Sequence, residues 1–530
     1  MTLQSYPNKR STTGTSTRVP DVQPTSGMCP ICIEECPVLC EISKSAFRGR
    51  ETLYPSPEYF GRSTAAANKD YGLDWSDLQI MVTVQGAYGI EPDPDKALFP
   101  NVDVSTSIAG IPLKVPVFQA GLGSTAVAKR NWDSLAIGAA LSGSVTVVGE
   151  NVCGMDEKAI ITNGKVTHSE DLKYRVETYR KFWDGKHGDI FVQTNVEDQR
   201  LGVDVYAISK LEVNVIERKW GQGAKAIGGE VRIRTLEKAQ LLKKRGYVVI
   251  PDPEDPVVIE AFKDGVFESF ERHSRVGMPT LRGFVEDVEW LREQGAKKVT
   301  LKTGAYRPID VAFTMKAASE AKVDLVTFDG AGGGTGMSPV PMMQETAIPT
   351  VYLEALVLKA AMILKKRGKH VPDIAMAGGF INETQIFKAI AMSNFGDGPF
   401  VKAIAQARAP LTAAFKGKYF RKLAEEGKLP PSFKKLYGDE PSKYFVTLPE
   451  LKRKYGDRVK EIPDGAIALY TYWHDRIRVG LQQLLAGCRK FKLSLIDRKD
   501  LASLTERAER VTGIPTIDKL DVDVFEYILS

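Results

Sequence analysis

The chain lacks any run long and apolar enough to cross a bilayer. Its longest apolar stretch, residues 350–364, spans about fifteen residues and carries Glu354 and Lys359, whereas a membrane helix needs about twenty. No membrane association is expected. Charge of one sign is also scarce: 72 Lys and Arg stand against 66 Asp and Glu, a net +6 over 530 residues. That excess reads as diffuse. The short basic groups at 243–245 and 365–367 follow helical segments, where cations complement the C-terminal dipole, so no nucleic-acid partner is expected. Cysteine is missing from most of the chain. Only six occur, and four of them, Cys29, Cys32, Cys36 and Cys40, fall within twelve residues, while Cys153 and Cys488 stand alone. Loop-closing disulfides would be spread out, so the clustering points to a metal centre in a reducing compartment. The residues before Cys29 hold no apolar segment of a secretory signal and are rich in Ser and Thr. They read as a flexible leader, residues 1–28, on a cytoplasmic protein.

What is present is a core and a rhythm. Hydrophobic residues make up 43% and charged residues 26%, the balance of a globular protein that needs no disulfide staple. Residues 29–110 form the cysteine arm and an irregular preface broken by Pro55, Pro57, Pro92 and Pro94. Eight short apolar runs follow, at 116–120, 144–148, 189–193, 212–216, 298–302, 324–328, 373–377 and 399–403. Amphipathic segments separate most of them. Apolar strands alternating with helices imply a parallel sheet covered on both faces. Eight units fit an α/β fold of the (β/α)8 barrel class over residues 111–411, with an open doubly wound sheet as the alternative. About sixty residues, 221–280, intervene after the fourth run, and such an excursion belongs over the catalytic face. Beyond the barrel, residues 412–530 read as a helical C-terminal extension that packs on the barrel or on a second subunit of a homo-oligomer. No chemistry is expected there, and His474 and Cys488 read as structural.

Several sites fall at predicted strand ends. Asp329-Gly330-Ala331-Gly332-Gly333-Gly334-Thr335-Gly336 follows the sixth run, where glycines let backbone N–H groups approach an oxygen-rich ligand. Gly378 and Gly379 after the seventh run and Arg408 after the eighth occupy the usual phosphate corner of a barrel. Lys302 ends the fifth run and can stabilise negative charge on a reduced isoalloxazine or hold a substrate carboxylate. Glu150, Gln193 and Lys225 follow the second, third and fourth runs, and Gln119, Ala120 and Gly121 end the first. Together they suit a bound flavin and an anionic substrate. The cysteine run, Cys29-x2-Cys32-x3-Cys36-Pro37-x2-Cys40, brings thiolates to one centre. A [4Fe–4S] cluster is the first reading, with a three-iron cluster or tetrahedral zinc as alternatives.

Three motifs carry a resemblance: Ile108-Ala109-Gly110-Ile111-Pro112-Leu113, Gly221-Gln222-Gly223-Ala224-Lys225, and Gly333-Gly334-Thr335-Gly336-Met337-Ser338-Pro339. Over residues 107–411 the chain resembles the FMN-binding, glutamate-synthesising domain of glutamate synthase. The resemblance implies FMN and hydride delivery to an imino acid made from 2-oxoglutarate and ammonia or an amine. It also implies a part for Lys302 at the flavin–substrate site. Glu150 and Lys225, from their rim positions, are expected to act beside it, with ferredoxin or a reductase subunit as electron donor.

The departures shape the expectation. Met1 precedes Thr2 where full-length relatives carry a nucleophilic cysteine, and no amidotransferase domain is expected in this length. The family's three-cysteine run after the eighth strand is absent from residues 405–411. Ala226-Ile227-Gly228-Gly229 and Ala331-Gly332 replace the Gly-Glu-Gly-Gly and His-Asp of the family pattern. Ammonia is then expected from solution or another subunit, and the cysteine cluster takes over the route for electrons. Two alternatives stay open, a flavin and iron–sulfur enzyme acting on another carboxylate or amine, and a non-catalytic subunit of a larger complex.

Overall fold

The computed structural model describes residues 41–54, 70–223, 226–334 and 338–530. The cysteine run at 29–40, Lys225, and residues 335–337 of the glycine-rich motif lie outside them.

Eight parallel strands close into a barrel: β1 Val117–Leu122, β2 Thr146–Val148, β3 Ile190–Thr194, β4 Val215–Lys219, β5 Lys298–Gly304, β6 Leu325–Asp329, β7 Asp373–Ala377 and β8 Val401–Gln406. Closure is made by β8 pairing with β1, from Ile404 opposite Val117 to Gln406 opposite Gln119. Helices follow the strands in turn: α1 Trp132–Leu141, α2 Glu170–Arg180, α3 Val203–Leu211, α4 Leu281–Glu293, α5 Pro308–Glu320, α6 Thr350–Lys366, α7 Glu383–Met392 and α8 Arg408–Glu425. The (β/α)8 expectation is met. No described helix is long and apolar enough to cross a membrane.

Strand alternation separates two apolar layers. Val299 and Leu301 of β5, Val326 and Phe328 of β6, and Ile374 and Met376 of β7 point outward and pack with the helices. Phe118, Val145, Phe191, Val215, Leu325, Ala375 and Ala403 face the barrel axis. A hairpin of Thr106–Ile108 and Ile111–Leu113 adds Ile108 and Leu113 to that inner layer and plugs the N-terminal end. Each fully buried side chain of this size contributes about 1.5–3 kcal/mol.

Seven strands overlap their apolar runs closely, whereas β4 sits three residues later than residues 212–216. The reason is charge. β4 ends in Glu217, Arg218 and Lys219, with the first two buried. Arg218 faces outward and is locked between helices: Nη1 donates to Asp204 Oδ2 and Thr194 Oγ1, both at 2.7 Å, while Nε and Nη2 grip Asp287 at 2.8 and 2.6 Å.

The excursion between β4 and α4 is a small subdomain. Its antiparallel sheet has the order Glu230–Ile233, Phe270–His273, Val248–Ile250, backed by helices Leu236–Lys244 and Pro256–Lys263. It has its own core around Ile233, Leu242, Tyr247 and Phe270. The segment that directly follows the cysteine run docks on this sheet. Tyr54 Oη donates to Glu271 at 3.1 Å and Glu230 at 3.3 Å, and Arg50 pairs with Glu271 at 3.1 Å.

α8 runs unbroken through residue 411, and the mostly helical tail adds one short strand, Leu501–Ser503, which pairs antiparallel with Leu78–Ile80 of the preface. α9 (Asp464–Tyr470) continues through a π-helical stretch, Thr471–Ile477, into α10 (Arg478–Gly487). Charge is also less diffuse than it reads. Residues 408–461 hold fourteen Lys and Arg against seven Asp and Glu, so this one segment accounts for the whole chain's positive excess. It carries a continuous aromatic ladder, Phe415–Tyr419–Phe420–Phe433–Tyr444, with Lys416 over three of the rings.

Candidate active site at the barrel mouth

The C-terminal ends of the strands open into a cavity of about 1030 Å³, large enough for a cofactor and a small acid. Of the residues anticipated from the sequence, Ala120, Gly121, Glu150, Gln193, Lys302, Asp329, Gly333, Gly334, Gly378, Gly379 and Arg408 line it. Two do not. Gln119 shares the face of Val117, which packs in the helix layer, while Phe118 and Ala120 face the axis. Its amide is fully buried without a partner among the described residues. Gly330 is behind the wall, its N–H donating to Ala377 O at 2.9 Å and its Cα face against Thr350.

One side of the mouth is built from small residues. Ala377 and Ala405 end their strands, and the loops beyond carry Gly332, Gly333, Gly378 and Gly379. Gly378 has φ +116°, and a Cβ there would stand 2.5 Å from Gly330 O and 2.6 Å from Thr350 Oγ1, so only glycine keeps these loops together. Thr350, the first residue of α6, ties them by donating to Gly378 O at 2.7 Å and Ala331 O at 3.0 Å. Arg408 opens α8 over the same corner.

The other side is polar. Lys302 Nζ lies 3.2 Å from Asp329 Oδ2. Lys219, at the end of β4, donates to Glu150 Oε1 at 2.6 Å and Gln222 Oε1 at 2.9 Å. Beneath them Gln193 Nε2 donates to Glu217 Oε1 at 2.5 Å. Burial raises the Glu217 carboxyl above its ordinary pKa, and the nearby Lys302 charge opposes that rise. Asn151 (φ 65°) follows Glu150, and its N–H donates to Asp198 Oδ2 at 2.9 Å. Asp198 is fully enclosed, and burial pushes its pKa up to about 7.

The excursion forms the roof. Gly229, Glu230, Val231 and Arg272 reach the cavity. Arg272 is buried, stacked 5.1 Å over Tyr247, with Nη1 donating to Ser274 Oγ at 2.6 Å and Nε left unpartnered. Among the described residues no carboxylate pairs with it. The tail adds a wall as well. Tyr472 lines the cavity from the π-helical stretch, its hydroxyl donating to Ile381 O at 2.6 Å, and Trp473 Nε1 donates to Gln406 Oε1 at 2.8 Å.

Lys219, Gln222, Asn151, Glu217, Arg272 and Tyr472 escaped the sequence reading. Only Lys219 and Gln222 left a signal, since Gln222 belongs to the Gly-Gln-Gly-Ala-Lys motif and Lys219 lies two residues before it. Lys225, the residue singled out from that motif, is outside the described residues, as are Cys29, Cys32, Cys36 and Cys40. Among the described residues no cluster of metal-ligating side chains occurs.

Comparison with solved structures gives the flavin-binding domain of baker's yeast flavocytochrome b2, at 12% identity, 86% of this chain, 81% of that one and a TM-score of 0.44. An active chimera of (S)-mandelate dehydrogenase shares 14% identity, covering 86% and 96% of the two chains with a TM-score of 0.44. A mandelate oxidase variant with a monooxide FMN adduct shares 12%, covering 79% and 86% with a TM-score of 0.40. No curated protein matches significantly. The family described as "Conserved region in glutamate synthase" matches residues 273–400, so the resemblance read from the motifs is shown over the stretch that builds β5, β6, β7 and the loops at their ends.

Proposed function

We propose that the cavity binds FMN and that the protein is an oxidoreductase of glutamate synthase type, reducing an imino acid formed from 2-oxoglutarate and ammonia or an amine. The observation that carries this reading is the divided mouth: a glycine and alanine cradle opposite two acid-paired lysines, within a barrel whose residues 273–400 match glutamate synthase. The donor set fits the cofactor. The Gly378-Gly379 loop and the start of α8 with Arg408 suit a phosphate, and the small-residue wall leaves room for a planar ring. Bound FMN would supply a hydride.

The residues of the chain supply the rest. Lys302 neutralises negative charge on ring or substrate carboxylate, with Asp329 holding its ammonium. Reduction of an imine also consumes a proton at nitrogen, a role assigned to Lys219 Nζ; its contact with Glu150 supports this by offering a route for reprotonation. The excursion excludes water from above, and the Arg272 guanidinium is the donor assigned to a second carboxylate.

For electron supply the reading assigns a [4Fe–4S] cluster to Cys29, Cys32, Cys36 and Cys40. Docking of residues 50–54 on the roof of the cavity supports it, because the chain leaving the cysteine run is tied to the site. Ferredoxin or a reductase subunit is the assigned donor, supported by the basic aromatic face of 408–461, which suits an acidic protein. The test is anaerobic mixing of photoreduced enzyme with 2-oxoglutarate and ammonium. Reoxidation of the flavin with formation of glutamate is expected, and a flavin that stays reduced under these conditions counts against the substrate assignment.

A further inference from the structure

A second cavity of about 440 Å³ adjoins the main one and shares Glu150, Lys219, Gln222 and Gly229 with it. Its outer walls are aromatic. Trp220 and Phe313 stack with centroids 6.0 Å apart and planes at 23°, and Tyr306 closes the side, its hydroxyl donating to Trp220 O at 3.0 Å. Gly221 permits this closeness, since a Cβ there would lie 2.0 Å from Tyr306 Oη. Trp220 N–H in turn donates to Lys302 O at 2.9 Å, which ties the aromatic wall to the strand that carries the main-site lysine.

Among the described residues of this cavity, one carboxylate is left over after the ion pairs are drawn. Lys219 is held by Glu150 at 2.6 Å. Arg275 is held by Glu197, with both carboxylate oxygens at 3.0 Å. Asp310, half-buried in the first turn of α5, is also in the lining, and among the described residues no cation pairs with it. A carboxylate uncompensated among the described residues, lined beside three aromatic side chains, is the chemistry that holds an organic cation. The carboxylate supplies charge, and the ring faces attract a cation's alkyl-bearing ammonium more than they attract a hydrated inorganic ion.

We propose that this second cavity is the binding site for the amine co-substrate, an organic ammonium held by Asp310 beside the aromatic wall of Trp220, Tyr306 and Phe313, with the shared Glu150–Lys219 pair between it and the main cavity. The proposal rests on the amine-using form of the function above and names the place and class of that substrate.

Trp220 is a built-in reporter. Methylammonium chloride, titrated into the full-length protein against sodium chloride at equal ionic strength, should change tryptophan emission saturably, and Trp220→Phe should remove that change. Asp310→Asn should weaken the apparent affinity at least tenfold, and Phe313→Leu, which leaves the charge in place, several-fold. Unaltered thermal melting of the variants excludes misfolding as the cause. Identical responses to methylammonium and sodium, full affinity in Asp310→Asn with Phe313→Leu, or ammonium binding as tightly as methylammonium would each overturn the assignment. The readout needs no flavin. Methylammonium binding by a protein that takes up no FMN would leave this site standing and sink the flavin reading, and a flavin-loaded protein without methylammonium binding would do the reverse.

Discussion

The two sides of the barrel interior are built from different alphabets. From β3 to β6 the inward residues above the apolar floor are Gln193, Glu217, Lys219, Thr300, Lys302, Thr327 and Asp329. From β7 through β8 to β1 they are Ala375, Ala377, Ala403, Ala405 and Ala120. The first sector holds charge away from water and holds each charged group by a partner, as Gln193 holds Glu217. The second holds nothing and so provides volume. A site that needs both a large planar ligand and fixed charge obtains them from opposite walls of one barrel. The polar sector is also braced from outside, where Arg218 joins β4 to α3 and α4.

That brace is where the comparison breaks most severely. Arg218→Met would leave the buried Asp204 carboxylate without its cation, and a loss of about 3–5 kcal/mol is expected, measurable as a lower urea midpoint. Lys302→Met removes a cation at the polar wall without touching the cradle. Flavin content should hold while the rate of flavin reoxidation by substrate falls about 10²–10³-fold, the usual effect of deleting one charge-stabilising group. Gly378→Val attacks the small-residue wall instead. Crowding against Gly330 and Thr350 at a positive φ should weaken FMN binding about 100-fold, from some 3 kcal/mol of strain and overpacking, with helix content by circular dichroism preserved.

The smallest effect concerns Asp198, behind the polar sector. Its native pKa near 7 lies above the ordinary carboxylate value, so the folded protein binds this proton more tightly than the unfolded chain. The corresponding stability is fully present below about pH 4 and is lost as pH rises through about 7. Asp198→Asn should flatten this part of the stability profile in urea titrations across that window.

The small-residue sector was the easier one to read. Its strands are uninterrupted apolar runs and its loops announce themselves by glycine, so β6, β7 and the glycine turns after them are legible to within a residue or two. The polar sector hid itself. β4 was displaced because Glu217-Arg218-Lys219 look like a solvated turn until Asp204 and Asp287, remote in sequence, are seen to neutralise Arg218. Gln119 failed for a different reason: a run with apolar residues on both faces does not reveal its phase, and the inward residues proved to be Phe118 and Ala120. Arg272 and Tyr472 had no local signature at all. One arrives on the roof subdomain and the other on a π-helical stretch of the tail, where only tertiary packing brings them to the cavity.

The central claim, that the divided mouth is a flavin site, is tested most directly by the visible spectrum of the purified protein before and after titration with FMN. Flavin absorption saturating at one FMN per chain, and lost in Gly378→Val but kept in Lys302→Met, is the predicted result. A colourless protein that takes up no added FMN, or one whose uptake is indifferent to Gly378, would contradict it.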